Sequence, residues 1–299
     1  MTATSTESRH PAAGGLHARP AAAVLEVLLA AQIAALGALR PALPALARAA
    51  DAATASLRAG GRLGYAGAGS SGLMALADCL ELAGTFGIAP ERTPMMFAGG
   101  AEALLHMRGA VEDDAELALA DLARAGLGAG DTLLCLSASG RTPYALAIAG
   151  AAQERGVSVV GIANVAGSAL LELADIAVLI DSGPEVVAGS TRMGAASAQK
   201  VALNMLSVLV GIGLGHVHDG FMVNVVADNA KLADRATRIV AALARVGRAE
   251  AEAALARTGG AVKPAILVAR GMAPEAAAAR LAETGGHLEP LIRHQPEGP

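Results

Sequence analysis

The sequence predicts an α/β fold, a parallel sheet flanked by helices on both faces, and three observations carry that expectation. From residue 62 onward, short apolar runs alternate with helix-like stretches. Glycines and hydroxyl residues gather where those runs end, as they do at the carboxyl edge of a parallel sheet. Of the 299 residues, 54% are hydrophobic and 17% charged, enough apolar surface to cover a sheet on both sides.

The strand-like runs are 62–66, 93–98, 131–136, 157–162 and 176–180. The third contains Leu133-Leu134-Cys135-Leu136, the continuous apolar reading of a strand buried on both faces. Ahead of them, residues 1–20 read as irregular, and helices are predicted over 21–36 and 43–58, the second stopped by Gly60-Gly61. After the fifth run, Gly183-Pro184 breaks the chain, and Gly189-Ser190-Thr191 offers a cap for a long apolar helix over 192–214. A further helix is predicted over 228–245. Beyond residue 247 an Ala-rich pattern is cut at Gly259-Gly260, Gly271 and Gly285-Gly286, leaving room for three short helices. The domain expectation is therefore an N-terminal segment with helices packing on the sheet domain (1–60), the sheet domain (61–247) and a small three-helix domain (248–299).

Composition excludes several function classes. A net charge of −4 and 2% aromatic residues leave no basic track for a phosphodiester backbone and no stacking platform, so nucleic acid is not an expected partner. Cys79 and Cys135 are far apart, each within an apolar stretch and without metal-ligand spacing. No metal, cofactor or disulfide is expected, which fits a reducing compartment. The apolar stretch 21–39 is interrupted by Glu26 and Gln32 and reads as an amphipathic helix. The stretch 201–217 carries Asn204 and Ser207, falls short of the ~20 residues of a membrane span, and reads as a fully buried central helix. The first twenty residues lack the pattern of a signal peptide. The expectation is a cytoplasmic protein with no membrane partner.

The residues that bear chemistry start with the turn Gly67-Ala68-Gly69-Ser70-Ser71-Gly72. Small residues let the backbone approach a bound group, Ser70 and Ser71 offer hydroxyls, and the amides opening the next helix favour an anion. One such turn is as readily a tight connection as a phosphate seat. The second, Ser137-Ala138-Ser139-Gly140-Arg141-Thr142, repeats the chemistry after another strand, with Ser137, Ser139, Gly140 and Thr142 as its candidate ligands. Two such turns suggest one sugar phosphate held between them.

Glu81 lies in the largely apolar stretch 77–84, where burial would raise its pKa and suit it to act as an acid; the plainer alternative is a surface carboxylate at a helix end. Glu112, in Val111-Glu112-Asp113-Asp114, reads from spacing alone as the acidic start of a helix. His106 is either a packed or surface histidine or a substrate ligand. Glu185, after Gly183-Pro184, and Lys200, within the long helix, are further candidates; Lys200 alternatively snorkels to the surface.

Taken together, Gly67 to Gly72, Thr85-Phe86-Gly87, Ala98-Gly99-Gly100, Ser137 to Tyr144, Gly183 to Val186, Gly189 to Arg192, Ala198 to Lys200 and Leu203 to Ser207 resemble the N-acetylmuramic acid 6-phosphate etherase family. The resemblance runs from residue 6 to about residue 292. It implies the sugar isomerase (SIS) fold, with 61–247 as the sugar-phosphate-binding domain. It also implies cleavage of the C3 lactyl ether of N-acetylmuramic acid 6-phosphate without metal or redox cofactor, in a homodimer. The family's two glutamates fall on Glu112, as base at C2, and Glu81, as acid for the leaving group. A straight helix from Ser71 to Glu81 would separate that acid from the phosphate turn by about 15 Å. Either the helix ends early or Glu81 serves a neighbouring subunit, and the second is expected. Several positions depart from the family pattern: Leu73 stands for an Arg, Gly109 for a Glu, Gly194 for a Lys, Ala83-Gly84 for a Pro pair, and Leu28 to Ile33 for an acidic segment. Two functions of other kinds compete, a non-catalytic sugar-phosphate regulator and a SIS-type aldose–ketose isomerase.

Overall fold

The structure, a computed structural model, describes residues 5–106 and 109–292. Expectations for residues 1–4 and 293–299 lie outside the described residues. The chain divides into two compact units, residues 1–79 with 91–207, and residues 80–90 with 208–299.

The first unit is built on five parallel strands, β1 (Leu63–Gly67), β2 (Met95–Phe97), β3 (Thr132–Leu136), β4 (Ser158–Ala163) and β5 (Ile176–Leu179), in the order β2-β1-β3-β4-β5. Each predicted run contains its strand to within a residue of its end. Register is continuous across the sheet: Tyr65 lies between Met95 and Leu134, and Leu134 also neighbours Val160. Successive residues of the strands point to opposite faces. Ala66, Leu133, Cys135 and Val159 pack with Leu122 of α5 (Ala115–Ala125) and with Tyr144, Ile148 and Ala152 of α6 (Pro143–Glu154). The other face meets α2 (Leu43–Arg58), whose Leu46, Ala49, Ala50, Ala53 and Leu57 are buried four and three residues apart. Burying both faces is what removes polar alternation from the strands.

Buried carboxylates tie the layers together. Asp121 of α5 accepts from the Tyr144 hydroxyl of α6 at 2.6 Å. Asp131, just before β3, accepts from the Arg62 and Gly128 amides at 2.7 and 3.0 Å and pairs with the Arg62 guanidinium at 2.9 Å. Asp78 of α3 (Gly69–Phe86) accepts from Tyr65 of β1 at 3.0 Å and from Ser207 of α8 (Gly194–Gly213) at 3.1 Å.

Three expectations are corrected. Residues 5–7, 11–13 and 16–18 form short 3-10 turns rather than irregular chain, fastened where Arg19 donates to the carbonyls of Ala12 and Gly14 at 3.1 and 2.6 Å. The helix α1 (Ala21–Gly37) is present but not amphipathic, because apolar residues occupy every side of it. Only Ala35 is buried, while Leu25, Leu29 and Ile33 are 65, 57 and 61% exposed. In α8, Val208, Leu209 and Ile212 are exposed, so the long helix is half-covered rather than fully buried in the single chain.

The second unit is helical apart from the two-stranded hairpin β6 (Val217–His218) and β7 (Phe221–Met222). Its core gathers Ile239 and Val240 of α9 (Ala230–Ala244), Ala251 and Ala254 of α10 (Arg248–Arg257), Ile266 and Leu267 of α11 (Val262–Ala269), and Leu281 of α12 (Pro274–Glu283). Asn229 caps α9 by accepting from the Leu232 amide at 3.0 Å. The predicted glycine breaks fall after α10, α11 and α12. A fourth short helix, α13 (Glu289–Ile292), follows the expected three.

Candidate active site

The loops that follow the strands of a parallel sheet share its carboxyl edge, and the turn after β1 opens the site. Gly69 adopts φ +53°, a left-handed conformation that spares the chain a side chain at the first residue of α3. The helix therefore starts inside the turn, four residues earlier than the apolar pattern beginning at Leu73 suggested. Ser71 is buried and Ser70 half-buried at its first turn.

The carboxylate of Glu112 lies directly over Gly69: a β-carbon there would sit 2.5 Å from Oε1. Glu112 ends a 3-10 turn, Gly109–Glu112, and the preceding Val111 packs against Gly99 in the turn after β2. Burial, followed by the neighbouring Asp113 charge, pushes the Glu112 carboxyl above its ordinary pKa. The helix-start role that spacing gave Glu112 belongs instead to Asp114, whose Oδ1 accepts from the Leu117 amide at 2.8 Å. With three consecutive acids, Glu112-Asp113-Asp114, the sequence does not say which one caps the helix.

The second turn is a cluster of hydroxyls. Ser137 Oγ lies 2.8 Å from Thr142 Oγ1 and 3.4 Å from Ser139 Oγ, and it accepts from the Gly140 amide at 3.1 Å. Thr142 is the N-cap residue of α6, yet its side chain makes no cap hydrogen bond there. With Pro143 lacking an N–H, the next amides of α6 face the turn without a side-chain cap. Gly140 has φ +62°, and Ser168, fully buried at the N-cap of α7 (Ala169–Leu173), fills the space where its side chain would be. Ser168 escaped the sequence reading; its place just after the fourth strand run was the available signal.

The remaining candidates lie on other segments of the chain. Glu81 is exposed in the single chain, contrary to the expected burial. The apolar residues around it mislead because the helix turns Glu81 and Leu80 outward, Leu80 being 68% exposed. Since α3 runs unbroken to Phe86, a helix that ends before Glu81 is ruled out. Glu185 is buried and caps α8, accepting from the Gly194 and Ala195 amides at 3.0 and 2.8 Å. It, rather than Ser190 or Thr191, starts that helix. Ser190 is half-buried in the loop before α8, its amide donating to Val187 O at 2.9 Å. Lys200 is engaged along α8, donating to Asn204 and lying 4.0 Å from Asp78 Oδ1. His106 is exposed at the end of α4 (Gly100–Leu105).

The SIS domain family matches residues 34–164. A Deinococcus radiodurans protein named N-acetylmuramic acid 6-phosphate etherase is 40% identical over 96% of this chain and 94% of its own length. A Rubrobacter xylanophilus protein of the same name is 46% identical over 76% of this chain and 75% of its own. Among solved structures, one from Bacteroides fragilis, described as of the phosphosugar isomerase kind and involved in capsule formation, superposes with a TM-score of 0.50. It is 21% identical and covers 64% of this chain and 90% of its own, a likeness of fold alone. Identity at this level along nearly the whole of both chains, on a sheet of the SIS kind, makes this chain a member of the N-acetylmuramic acid 6-phosphate etherase family.

Proposed function

We propose that the protein is a lyase that converts N-acetylmuramic acid 6-phosphate to N-acetylglucosamine 6-phosphate and D-lactate, a step in recycling cell-wall sugar. The observation that carries this reading is the Glu112 carboxylate resting on the Gly69 turn. A base of raised proton affinity beside a phosphate seat is what abstraction next to a sugar carbonyl requires. Ring opening exposes an aldehyde at C1 that acidifies the C2 proton. Glu112 takes that proton, and the C3–O bond breaks as the carboxylic acid of Glu81 protonates the departing ether oxygen. The lost electron pair becomes the C2–C3 double bond; water then adds at C3 and a proton returns to C2. Proton transfer of this kind contributes about 10²- to 10⁴-fold in rate for each group.

The phosphate is assigned to Gly69, Ser70, Ser71 and Gly72 together with Ser137, Ser139, Gly140 and Thr142. Ser190 and His106 contribute to the sugar pocket, while Glu185 and Lys200 support it through α8. The protein acts as a homodimer in which Glu81 completes the site of the neighbouring subunit. Leu25, Leu29, Ile33 and Leu80, all exposed in the single chain, are apolar surface that a second subunit would cover. Free, buried thiols at Cys79 and Cys135 suit the cytoplasm. What favours the etherase over a regulator or an isomerase is the likeness to etherases along nearly the whole chain.

The test is incubation with N-acetylmuramic acid 6-phosphate in deuterated water, following lactate release and label at C2. Glu81→Gln is expected to lose lactate release and keep C2 exchange; Glu112→Gln is expected to lose both. Undiminished exchange in Glu112→Gln would overturn the assignment of the base.

A further inference from the structure

We infer that Arg141 is a further substrate-binding residue whose guanidinium pairs with an oxyanion of the sugar phosphate. The inference rests on the etherase reading above and adds the positive charge which that reading lacks.

Arg141 stands in the middle of the hydroxyl turn, and its backbone is fixed from both sides. Its amide donates to Ser139 Oγ at 3.2 Å. The preceding Gly140 is held by its carbonyl, which accepts from the Leu170 amide at 3.0 Å. The following Thr142 is held by its hydroxyl against Ser137 at 2.8 Å. Its side chain, by contrast, is exposed and has no hydrogen bond or carboxylate partner among the described residues. Several other arginines of the sheet unit are engaged in the fold. Arg62 pairs with Asp131, Arg92 donates to Gly61 O and Leu57 O, Arg124 pairs with Asp121, and Arg155 donates to Leu122 O.

The charge balance of the reaction gives this unpaired cation a use. The substrate brings a phosphate and a lactyl carboxylate to a site whose other turn, at Gly69, already faces the Glu112 carboxylate. Neither Leu73 nor Gly194 carries charge, and the Lys200 ammonium is held by Asn204 and Asp78. Within the turn itself, Arg141 adds a full positive charge to backbone amides and neutral hydroxyls. A guanidinium with two parallel donors fits a phosphate or a carboxylate bidentately, and its charge does not depend on pH in the working range.

Either anion satisfies that chemistry, and one measurement separates them, since the product keeps the phosphate and has lost the lactyl group. KM and kcat for lactate release, the inhibition constant of N-acetylglucosamine 6-phosphate and its calorimetric affinity would be measured for the wild type, Arg141→Ala and Arg141→Lys. Melting temperatures serve as the check on folding. A charge-assisted hydrogen bond of ordinary strength predicts that Arg141→Ala raises KM by about 10- to 100-fold, with Arg141→Lys recovering part of the loss. A parallel rise in the inhibition constant identifies the phosphate as partner, and an unchanged one identifies the lactyl carboxylate. Wild-type KM and product affinity in Arg141→Ala would overturn the inference while leaving the etherase reading intact. Absence of lactate release in the wild type would instead sink the etherase reading, and the calorimetric titration would still read the role of Arg141 in holding the phosphate. Should Arg141→Ala fold poorly, Arg141→Lys carries the same comparison.

Discussion

Replacing Gly69 by alanine brings a β-carbon to 2.5 Å from Glu112 Oε1. A comfortable carbon–oxygen contact is about 3.3 Å, so the carboxylate must withdraw by roughly 0.8 Å, and a misplacement of about 1 Å in a reacting group costs on the order of 10²-fold in rate. The substitution also places a β-carbon at φ +53°, which costs about 1–2 kcal/mol of stability. The expected result is a kcat for lactate release about 10²-fold lower, with C2 exchange in deuterated water falling in parallel because both steps need the base. Thermal melting should drop by several degrees. Gly130→Ala is the control: Gly130 has φ +91° with open space where a side chain would be, and it precedes β3 at the opposite edge of the sheet. That variant should lose stability and keep its kcat. Full activity in Gly69→Ala, or an equal loss of activity in Gly130→Ala, would refute the placement of Glu112 as the base over the turn.

Two further outcomes follow from buried groups. Glu185→Ala removes the carboxylate that caps α8 and should cost about 1–2 kcal/mol, read as a lower midpoint in urea with an unchanged slope. His216 in the second unit is held at a pKa of about 4, first by burial and then by the charge on Lys263 and by His287. The unfolded chain therefore takes up the proton more readily, so the contribution of neutral His216 is present above pH 6.5 and is lost as pH falls from there toward 4. Melts of wild type and His216→Phe across that range should converge on acidification; parallel curves would show that another group governs the acid sensitivity.

The sheet was legible because its strands are buried on both faces, which writes each one as an uninterrupted apolar run, and because glycines mark their ends. The two turns rich in glycine and hydroxyl groups were legible for the same local reason: each lies within six consecutive residues. What lay beyond sequence is everything decided by how segments turn in space. Glu81 sits among apolar neighbours yet faces outward. Glu112 and Asp114 differ by two positions, and only the fold shows which caps α5 and which leans over Gly69. The cap of α8 comes from Glu185, nine residues ahead of Gly194, rather than from the hydroxyls beside it. In α1, a pattern rich in alanine has no polar side from which a direction could be read.

That internal cap has a consequence for where the sugar can dock. Among the described residues α8 is the longest helix, with 20 residues, and the positive end of such a helix is ordinarily attractive to any passing oxyanion. The protein seats one of its own side chains there. On the proposed reading, an incoming phosphate finds that end of α8 already taken, which leaves the serine-lined turns as its seat.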